Sequence, residues 1–301
     1  MLYRILSNPN GKEKIIRNKY MSLRKKNENL QKNYNKFDFK TEFLSNISHE
    51  FNTPLTLILS ILQFMEISAE KEIYNYDSEK CEKYIGIMKK NCFRLIKLTN
   101  NIIELSKIAN NEINSTFMNY NIVNIVKGIS LSSANYAEKK GIGLTFDTSI
   151  EKKIVSCDKE MLEKIMLNLL SNAVKFTEPG GNIKVRIEDK LDSVDVLVSD
   201  TGIGIPEYKL KEIFSPFAQM DKSFRRNHEG CGIGLTLVKA LVELLGGKIK
   251  LYSKLGEGTN VVVNIPTNVA DNSIILKNDF ISYYNDEKVK IEFSDICSFI
   301  E

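Results

Sequence analysis

Histidine and cysteine are scarce in this sequence, and the few that occur are poorly arranged for a metal site or a disulfide framework. Only two histidines are present, His49 and His228, and the five cysteines include no Cys-x-x-Cys pair. An odd number of scattered cysteines predicts reduced thiols, and two distant histidines argue against a His-rich metal centre.

Long hydrophobic runs are also missing. The longest, residues 55–65, is too short to cross a bilayer and is interrupted by Ser60 and Gln63. No signal peptide is apparent. Because 43% of the residues are apolar, the chain can still form hydrophobic cores. We therefore expect the chain as given to be folded and cytoplasmic, with the option that it is one end of a longer membrane protein.

Positive charge is concentrated at the N-terminus, although the net charge of the whole chain is only +4. Residues 1–40 carry eleven Lys or Arg and three Asp or Glu. Such an arm could neutralise nucleic-acid phosphates. The heptad pattern of the same region favours a solvated helix face instead, so no nucleic-acid partner is expected.

A heptad repeat predicts a long helix over residues 12–65, with a coiled-coil seam. Its members are Leu23, Leu30, Phe37, Leu44, Phe51, Ile58 and Met65. Companion apolar positions occur only in the second half, so residues 1–36 are predicted to form a basic coiled-coil linker. A second helix is predicted over residues 79–110. One hairpin buries little surface, so we expect a domain over residues 37–112 that dimerises into a four-helix bundle.

From about residue 117 the pattern changes to short β-like runs separated by amphipathic helices. The predicted helices cover residues 122–139, 159–174 and 235–245, and the predicted strands cover 144–146, 183–187, 194–198, 248–252 and 261–265. This pattern predicts an α/β sandwich over residues 117–267, and an α+β fold class for the whole chain. Residues 268–301 form a tail without an assigned role, in which Val289–Phe293 alternates like an edge strand.

The first candidate site surrounds His49 on the predicted bundle helix. His49 falls at an outward heptad position, so it is not a core histidine. A neutral imidazole is a competent nucleophile near pH 7. Glu50 could orient the ring or accept its proton, and Thr53 follows one helical turn later on the same face. Taken alone, a merely solvated histidine explains this pattern better.

The second candidate site is a polar stripe on the helix predicted to begin at residue 159. Asn168, Asn172 and Lys175 lie at i, i+4 and i+7 and therefore share one face. Two amides and an ammonium can bind a magnesium ion and phosphate oxygens. The alternative is the solvated face of an amphipathic helix, but the poor helix propensity of Asn disfavours it.

The third candidate is Asp200, which follows a predicted strand and is followed by Gly202 and Gly204. Its carboxylate could accept a hydrogen bond from an adenine amino group, and the glycines would let the backbone approach a flat ring or a phosphate. The D-x-G-x-G spacing is not that of a dinucleotide-binding fingerprint, and no Walker A loop occurs in the chain. A simple glycine turn is an equally good explanation of this run alone.

The fourth candidate is a set of alternate glycines before the helix predicted over residues 235–245. Gly230, Gly232 and Gly234 would expose backbone amides toward an anion, and a triphosphate suits such a site. Residues 207–229 lie between the two glycine runs and are interpreted as a lid over a bound nucleotide.

In their order along the chain, these motifs resemble those of bacterial sensor histidine kinases over about residues 40–266. Residues 43–55 resemble the H box, 168–177 the N box, 200–204 the first glycine box, 214–217 the F box and 230–235 the second glycine box. The resemblance implies a dimerisation and phosphoacceptor hairpin followed by an ATP-binding domain of the type shared with gyrase and Hsp90.

The resemblance also implies a role for each candidate residue. His49 would be the phosphoacceptor, Glu50 its general base, and Thr53 would position the water that hydrolyses a phosphorylated partner. Asn168 would ligate Mg²⁺. The other implied ATP-binding residues are Asn172, Lys175, Asp200, Gly202, Gly204, Gly230, Gly232 and Gly234.

The implied activity is ATP-dependent autophosphorylation of His49, followed by transfer to an aspartate of a separate response regulator receiver domain, with phosphatase activity toward that regulator. The chain would act as a homodimer and could be the cytoplasmic part of a membrane-bound sensor whose N-terminal sensor region is missing. Asn52, Cys231 and Gln219 depart from the residues usual in the family, and each could lower the rate. Two other functions remain open: a nucleotide-binding scaffold or phosphatase, and an ATPase clamp of the gyrase or Hsp90 type.

Overall fold

The computed structural model describes residues 43–68, 78–216, 232–267 and 286–296. The chain divides into two compact units, residues 1–50 and residues 51–301. Helix α1 covers residues 43–68, and the boundary between the units falls within it. The predicted coiled-coil linker over residues 1–36 lies outside the described residues.

The second unit begins with a helical hairpin. Helix α2, Ser78–Ala109, follows α1 and agrees with the helix predicted over residues 79–110. The rings of Phe64 and Tyr84 meet edge to face with their centroids 5.6 Å apart, so α1 and α2 contact each other. None of the helices that the structure describes combines the length and apolar character needed to cross a membrane.

The remainder of the second unit is an α/β domain. Its elements in chain order are β1 (Met118–Asn121), α3 (Ile122–Lys139), β2 (Gly143–Thr148), β3 (Ile154–Cys157), α4 (Lys159–Phe176), β4 (Asn182–Lys190), β5 (Ser193–Asp200), α5 (Glu207–Leu210), α6 (Gly234–Leu244), β6 (Lys248–Lys254), β7 (Gly258–Pro266) and α7 (Asp286–Glu292). Five strands form one mixed sheet in the order β2-β4-β5-β7-β6, in which only β2 and β4 are parallel neighbours. Strands β1 and β3 form a separate antiparallel pair.

One face of the five-stranded sheet is buried because apolar residues alternate along its central strands. Ile183, Val185 and Ile187 of β4 are each 1% exposed or less, and alternate residues of β5 and β7 are buried in the same way. Apolar residues from helices α3, α4 and α6 join them in the same core. The predicted α+β fold class, a helical hairpin followed by a sheet covered by helices, is confirmed.

The prediction of an edge strand over Val289–Phe293 is wrong, because residues 289–292 lie in helix α7 and Phe293 lies in the turn that follows it. An alternating run of five residues fits a helix as well as a strand. Val289 and Phe293 are four residues apart and therefore lie on one helical face, where they are 2% and 0% exposed. Burial of this single face is what selects the helix.

Candidate functional site

His49 lies on the described part of the first unit and is exposed, as its outward heptad position predicts. Glu50, the next residue, is half-buried. Thr53 belongs to the second unit, where it is also half-buried on α1, immediately before the buried Pro54. An exposed imidazole is open to a reaction partner from solvent, which a core histidine would not be.

Helix α4 positions the predicted polar stripe, and both of its ends are held by side chains. At the N-terminus, Asp158 caps the helix by accepting hydrogen bonds from the amides of Glu160 and Met161, at 3.0 and 3.2 Å. At the C-terminus, the Lys140 ammonium donates to the carbonyls of Val174 and Lys175, at 2.8 and 2.7 Å. A cation suits this end, where the helix dipole is negative.

The polar stripe on α4 is not a solvated helix face. Asn168 is 4% exposed and Lys175 is 8% exposed, whereas Asn172 is half-buried. Gly234, the first residue of α6, lies against Asn168: a Cβ built on this glycine would be 2.4 Å from the Asn168 Oδ1. The structure therefore brings the second glycine run and the N-terminal end of the stripe together.

Asp200 ends β5 and holds the loop that follows it. Its Oδ1 accepts hydrogen bonds from the backbone amides of Gly202 at 2.9 Å and Thr259 at 3.2 Å. Burial raises the pKa of the Asp200 carboxyl above its ordinary value, while these two amide donors oppose part of that rise. A further donor at the other carboxylate oxygen would favour the charged form.

The loop after Asp200 is tied to the end of α4. The amide of Ile203 donates to the carbonyl of Phe176 at 3.1 Å. Gly204 has a φ of +68°, and a Cβ there would lie 2.0 Å from the carbonyl oxygen of Lys254, so this position requires glycine. Asp200 and the C-terminal end of the polar stripe are thus parts of one connected site.

Three threonines belong to this region and were missed by sequence reasoning. Thr259 is the register partner of Asp200 on β7 as well as its amide donor. The hydroxyls of Thr177 and Thr236 are buried without a hydrogen-bond partner among the described residues. The β-like run near the end of the domain indicates the strand that contains Thr259, but only the register of β5 and β7 places Thr259 beside Asp200.

Part of the second glycine run can be described. Gly232 has a φ of +64°, and Gly234 begins α6. Gly230 and Cys231 lie outside the described residues, as do residues 217–229 of the predicted lid. The first part of that segment contains the short helix α5.

A buried Asn–Lys stripe lies beside an aspartate-glycine loop, on a mixed sheet covered by helices, and an exposed histidine precedes it on a helical hairpin. Residues 39–111 match the "His Kinase A (phospho-acceptor) domain" family. Residues 157–269 match the "Histidine kinase-, DNA gyrase B-, and HSP90-like ATPase" family. The chain belongs to the sensor histidine kinase family, whose two domains match in this order along the sequence.

Curated relatives agree with this family. An uncharacterized sensor-like histidine kinase of Rhizobium meliloti is 32% identical over 233 residues, covering 77% of this chain and 44% of that protein. The circadian input-output histidine kinase CikA of Synechococcus elongatus is 35% identical, covering 75% of this chain and 30% of that protein. The autoinducer 2 sensor kinase/phosphatase LuxQ of Vibrio parahaemolyticus is 32% identical, with 75% and 26% covered. The chain therefore spans less than half the length of these relatives.

Solved structures agree as well. The histidine kinase ThkA in complex with the response regulator protein TrrA superposes with a TM-score of 0.59 at 26% identity, covering 75% of this chain and 61% of that chain. Full-length ShkA in complex with AMPPNP superposes with a TM-score of 0.56 at 25% identity, covering 76% and 47%.

Proposed function

We propose that this chain is the catalytic core of a sensor histidine kinase that transfers the γ-phosphoryl group of ATP to His49 and then to an aspartate of a response regulator. The observation that carries the proposal is the buried Asn168–Lys175 stripe joined to the Asp200 loop, in a chain that also presents an exposed His49 followed by Glu50.

Asp200 is the proposed acceptor for the adenine amino group. Both of its hydrogen bonds to described residues go to Oδ1, so Oδ2 can accept from the ligand. Because burial disfavours the charged carboxylate, an amino donor would relieve part of that cost. Gly202 and Gly204 keep side chains out of the loop, which lets the base lie close to the backbone.

The phosphates are assigned to α4 and to the N-terminus of α6. Asn168 would supply an amide oxygen to Mg²⁺, which in phosphoryl-transfer sites commonly takes few protein ligands in addition to phosphate oxygens and water. The bound ion would neutralise charge on the phosphates. Asn172 and Lys175 would donate to phosphate oxygens, and Gly230, Gly232 and Gly234 would present backbone amides.

His49 is the proposed nucleophile. One ring nitrogen attacks the γ-phosphorus, the bond from phosphorus to the ADP oxygen breaks, and Glu50 accepts the ring proton. In the second reaction an aspartate oxygen of the regulator takes the phosphoryl group, and the phosphorus–nitrogen bond breaks. The solved complex of ThkA with TrrA supports a regulator as the partner, because ThkA is similar over 75% of this chain.

Thr53 is proposed to act in the reverse direction, by orienting a water that hydrolyses the phosphorylated regulator. Its hydroxyl can donate and accept without changing charge, and a relative of this chain is named a sensor kinase/phosphatase. Thr53→Ala should leave His49 phosphorylation intact and slow dephosphorylation of purified phospho-regulator. Equal dephosphorylation rates for Thr53→Ala and the unmodified kinase would remove this role.

A homodimer is proposed for the hairpin. Leu55, Leu59 and Leu62 lie at i, i+4 and i+7 on α1 and are 42–56% exposed. Apolar stripes of this kind on a helical hairpin are covered when two hairpins form a four-helix bundle. Signal input from a sensor region outside this sequence belongs to the same proposal.

Phosphate stability after incubation with labelled ATP tests the proposed function against its alternatives. Phosphohistidine is acid-labile and base-stable, so a histidine kinase should acquire label with this stability. A nucleotide-binding scaffold or phosphatase would bind ATP and acquire little label, and an ATPase clamp would release phosphate without acquiring any. Either of these two results would reject autophosphorylation.

A further inference from the structure

Residues 286–296, here called the C-terminal segment, are packed into the second unit. The segment consists of α7 and the turn after it, and it contacts α2, α3 and α4. Val289 and Phe293 are almost fully buried, and Ser294 is fully buried. The Phe293 ring packs on Tyr136 of α3, with ring centroids 4.6 Å apart. The segment is therefore a docked element of the fold.

Two acidic residues of the C-terminal segment, Glu292 and Asp295, form ion pairs with Lys97 of the hairpin helix α2. The Lys97 ammonium lies 3.1 Å from the Glu292 Oε1 and 3.4 Å from the Asp295 Oδ2, and it also donates to the Glu292 carbonyl at 2.7 Å. Lys97 is 15% exposed, so water screens these pairs weakly.

The same two carboxylates reach the polar stripe of α4. The Asp295 Oδ2 lies 4.0 Å from the Lys175 ammonium, and the Glu292 Oε1 accepts a hydrogen bond from the Ser171 hydroxyl at 3.3 Å. Ser171 and Lys175 are one helical turn apart and share a face of α4. The segment thus bridges α2 and the proposed phosphate-binding helix with one pair of acids.

The cluster carries charges of both signs at neutral pH. Burial alone would raise the pKa of Asp295, but Lys97, Lys175 and Arg94 outweigh it and hold that pKa below its ordinary value. Burial alone would lower the pKa of Lys97, and the Asp295 and Glu292 carboxylates reverse that effect. Asp295 is therefore an anion beside Lys175, and it has the same sign of charge as the phosphate that we propose to bind there.

We propose that the C-terminal segment is an intramolecular competitor of ATP. The Asp295 carboxylate pairs with the Lys175 ammonium, which the phosphates of ATP must contact. The inference rests on the proposed function, because it takes Lys175 as a phosphate contact. Full ATP affinity then requires the segment to leave α4. Because Lys97 ties both acids to α2, a shift of α2 that draws the segment away from α4 also releases Lys175, which couples the hairpin to nucleotide binding.

Calorimetric ATP titration of the Asp295→Asn variant of this chain tests the competition. The substitution keeps the shape of the side chain and removes the charge. The matched control is Glu287→Gln, which removes a carboxylate from an exposed position of α7 in the same segment. We expect Asp295→Asn to bind ATP about fivefold more tightly than the control, a typical size for coupling between two sites. Equal or weaker binding by Asp295→Asn would overturn the inference.

Hydrogen exchange on the unmodified chain provides a test that does not depend on folding of a variant. Competition is reciprocal, so ATP must weaken docking of the segment as much as the segment weakens ATP binding. Saturating ATP should therefore increase amide exchange over residues 289–296 and protect residues 168–175. Unchanged or slower exchange over 289–296, with residues 168–175 protected, overturns this inference alone. Failure of the chain to bind ATP overturns both this inference and the proposed function.

Discussion

Gly234 lies so close to Asn168 that a Cβ on the glycine would be 2.4 Å from the Asn168 Oδ1. The contact joins the first residue of α6 to a side chain that is 4% exposed on α4. At this distance a methyl group must displace the carboxamide, because close-packed interiors have no free volume to absorb it. The glycine therefore sets the position of the proposed magnesium ligand.

Gly234→Ala should accordingly lower the rate of ATP-dependent phosphorylation strongly, while it changes the thermal unfolding midpoint little. Alanine favours the helix by up to about 1 kcal/mol over glycine, which offsets part of the strain in the fold but not the displacement of Asn168. Initial rates of label incorporation and thermal unfolding midpoints would be measured together, with Lys239→Ala on the exposed face of α6 as control. Label incorporation at the rate of the control would show that Gly234 does not position Asn168.

Asp200→Ala should weaken ATP binding by removing the acceptor for the adenine amino group. A lost hydrogen bond to a charged group is worth about 1.5–3 kcal/mol, or roughly ten- to a hundredfold in Kd. Titration calorimetry would compare it with Asp192→Ala, an exposed aspartate in the turn before β5. GTP should bind the unmodified chain poorly, since its ring presents a carbonyl at that position. Equal ATP and GTP affinities would argue against this role.

Leu59→Asp combined with Leu62→Asp should convert the proposed dimer to a monomer. Both side chains are exposed in the isolated chain, so charges there are tolerated by one hairpin but would be buried unpaired in a bundle of two. Thr56→Asp with Gln63→Asp adds the same charge to exposed polar positions of α1 and should stay dimeric. Molar mass from light scattering decides the matter, and a monomeric unmodified chain would contradict the proposal.

The Asp295 cluster predicts a specific pH dependence of stability. Because the pKa of Asp295 is lowered by folding, its stabilising contribution is complete above the unfolded value of about 3.9 and is lost as the pH falls through the folded value. Asp295→Asn should lower the unfolding midpoint relative to Glu287→Gln at pH 7, and this gap should shrink below about pH 4. A gap that is the same at pH 7 and pH 3 would mean that the Asp295 charge does not stabilise the fold.

Much of the fold was predictable because apolar residues recur along the sequence at the helical spacing or at every second position. The helix from Ile122 to Lys139 was predicted with its observed bounds, and alternation located the central strands. Strands β1 and β3 were missed, because four residues are too few to establish a period of two. The segment Val289–Phe293 was predicted as a strand, because an alternating run of five residues fits both the helical and the strand period. Burial of Val289 and Phe293, which lie on one helical face, favours the helix.

Local motifs located the candidate site, but its closest partners are distant in the chain. Asp200 and its loop glycines were predicted from their order, whereas Thr259 is beside Asp200 only through the register of β5 and β7. Lys175 was predicted as a phosphate contact. Its pairing with Asp295 could not be predicted, since no sequence pattern reports which surface a C-terminal helix will pack against.

Phosphorylation of His49 by bound ATP is the central claim, and the sequence offers a matched pair of variants to test it. His49 and His228 are the two histidines of the chain, so a phosphohistidine must be one of them. The His49→Ala and His228→Ala variants of this chain would be incubated with labelled ATP, and ATP binding would be measured on the same samples. The account predicts no acid-labile, base-stable label on His49→Ala despite normal ATP binding, and label on His228→Ala. Acid-labile label retained by His49→Ala would contradict it.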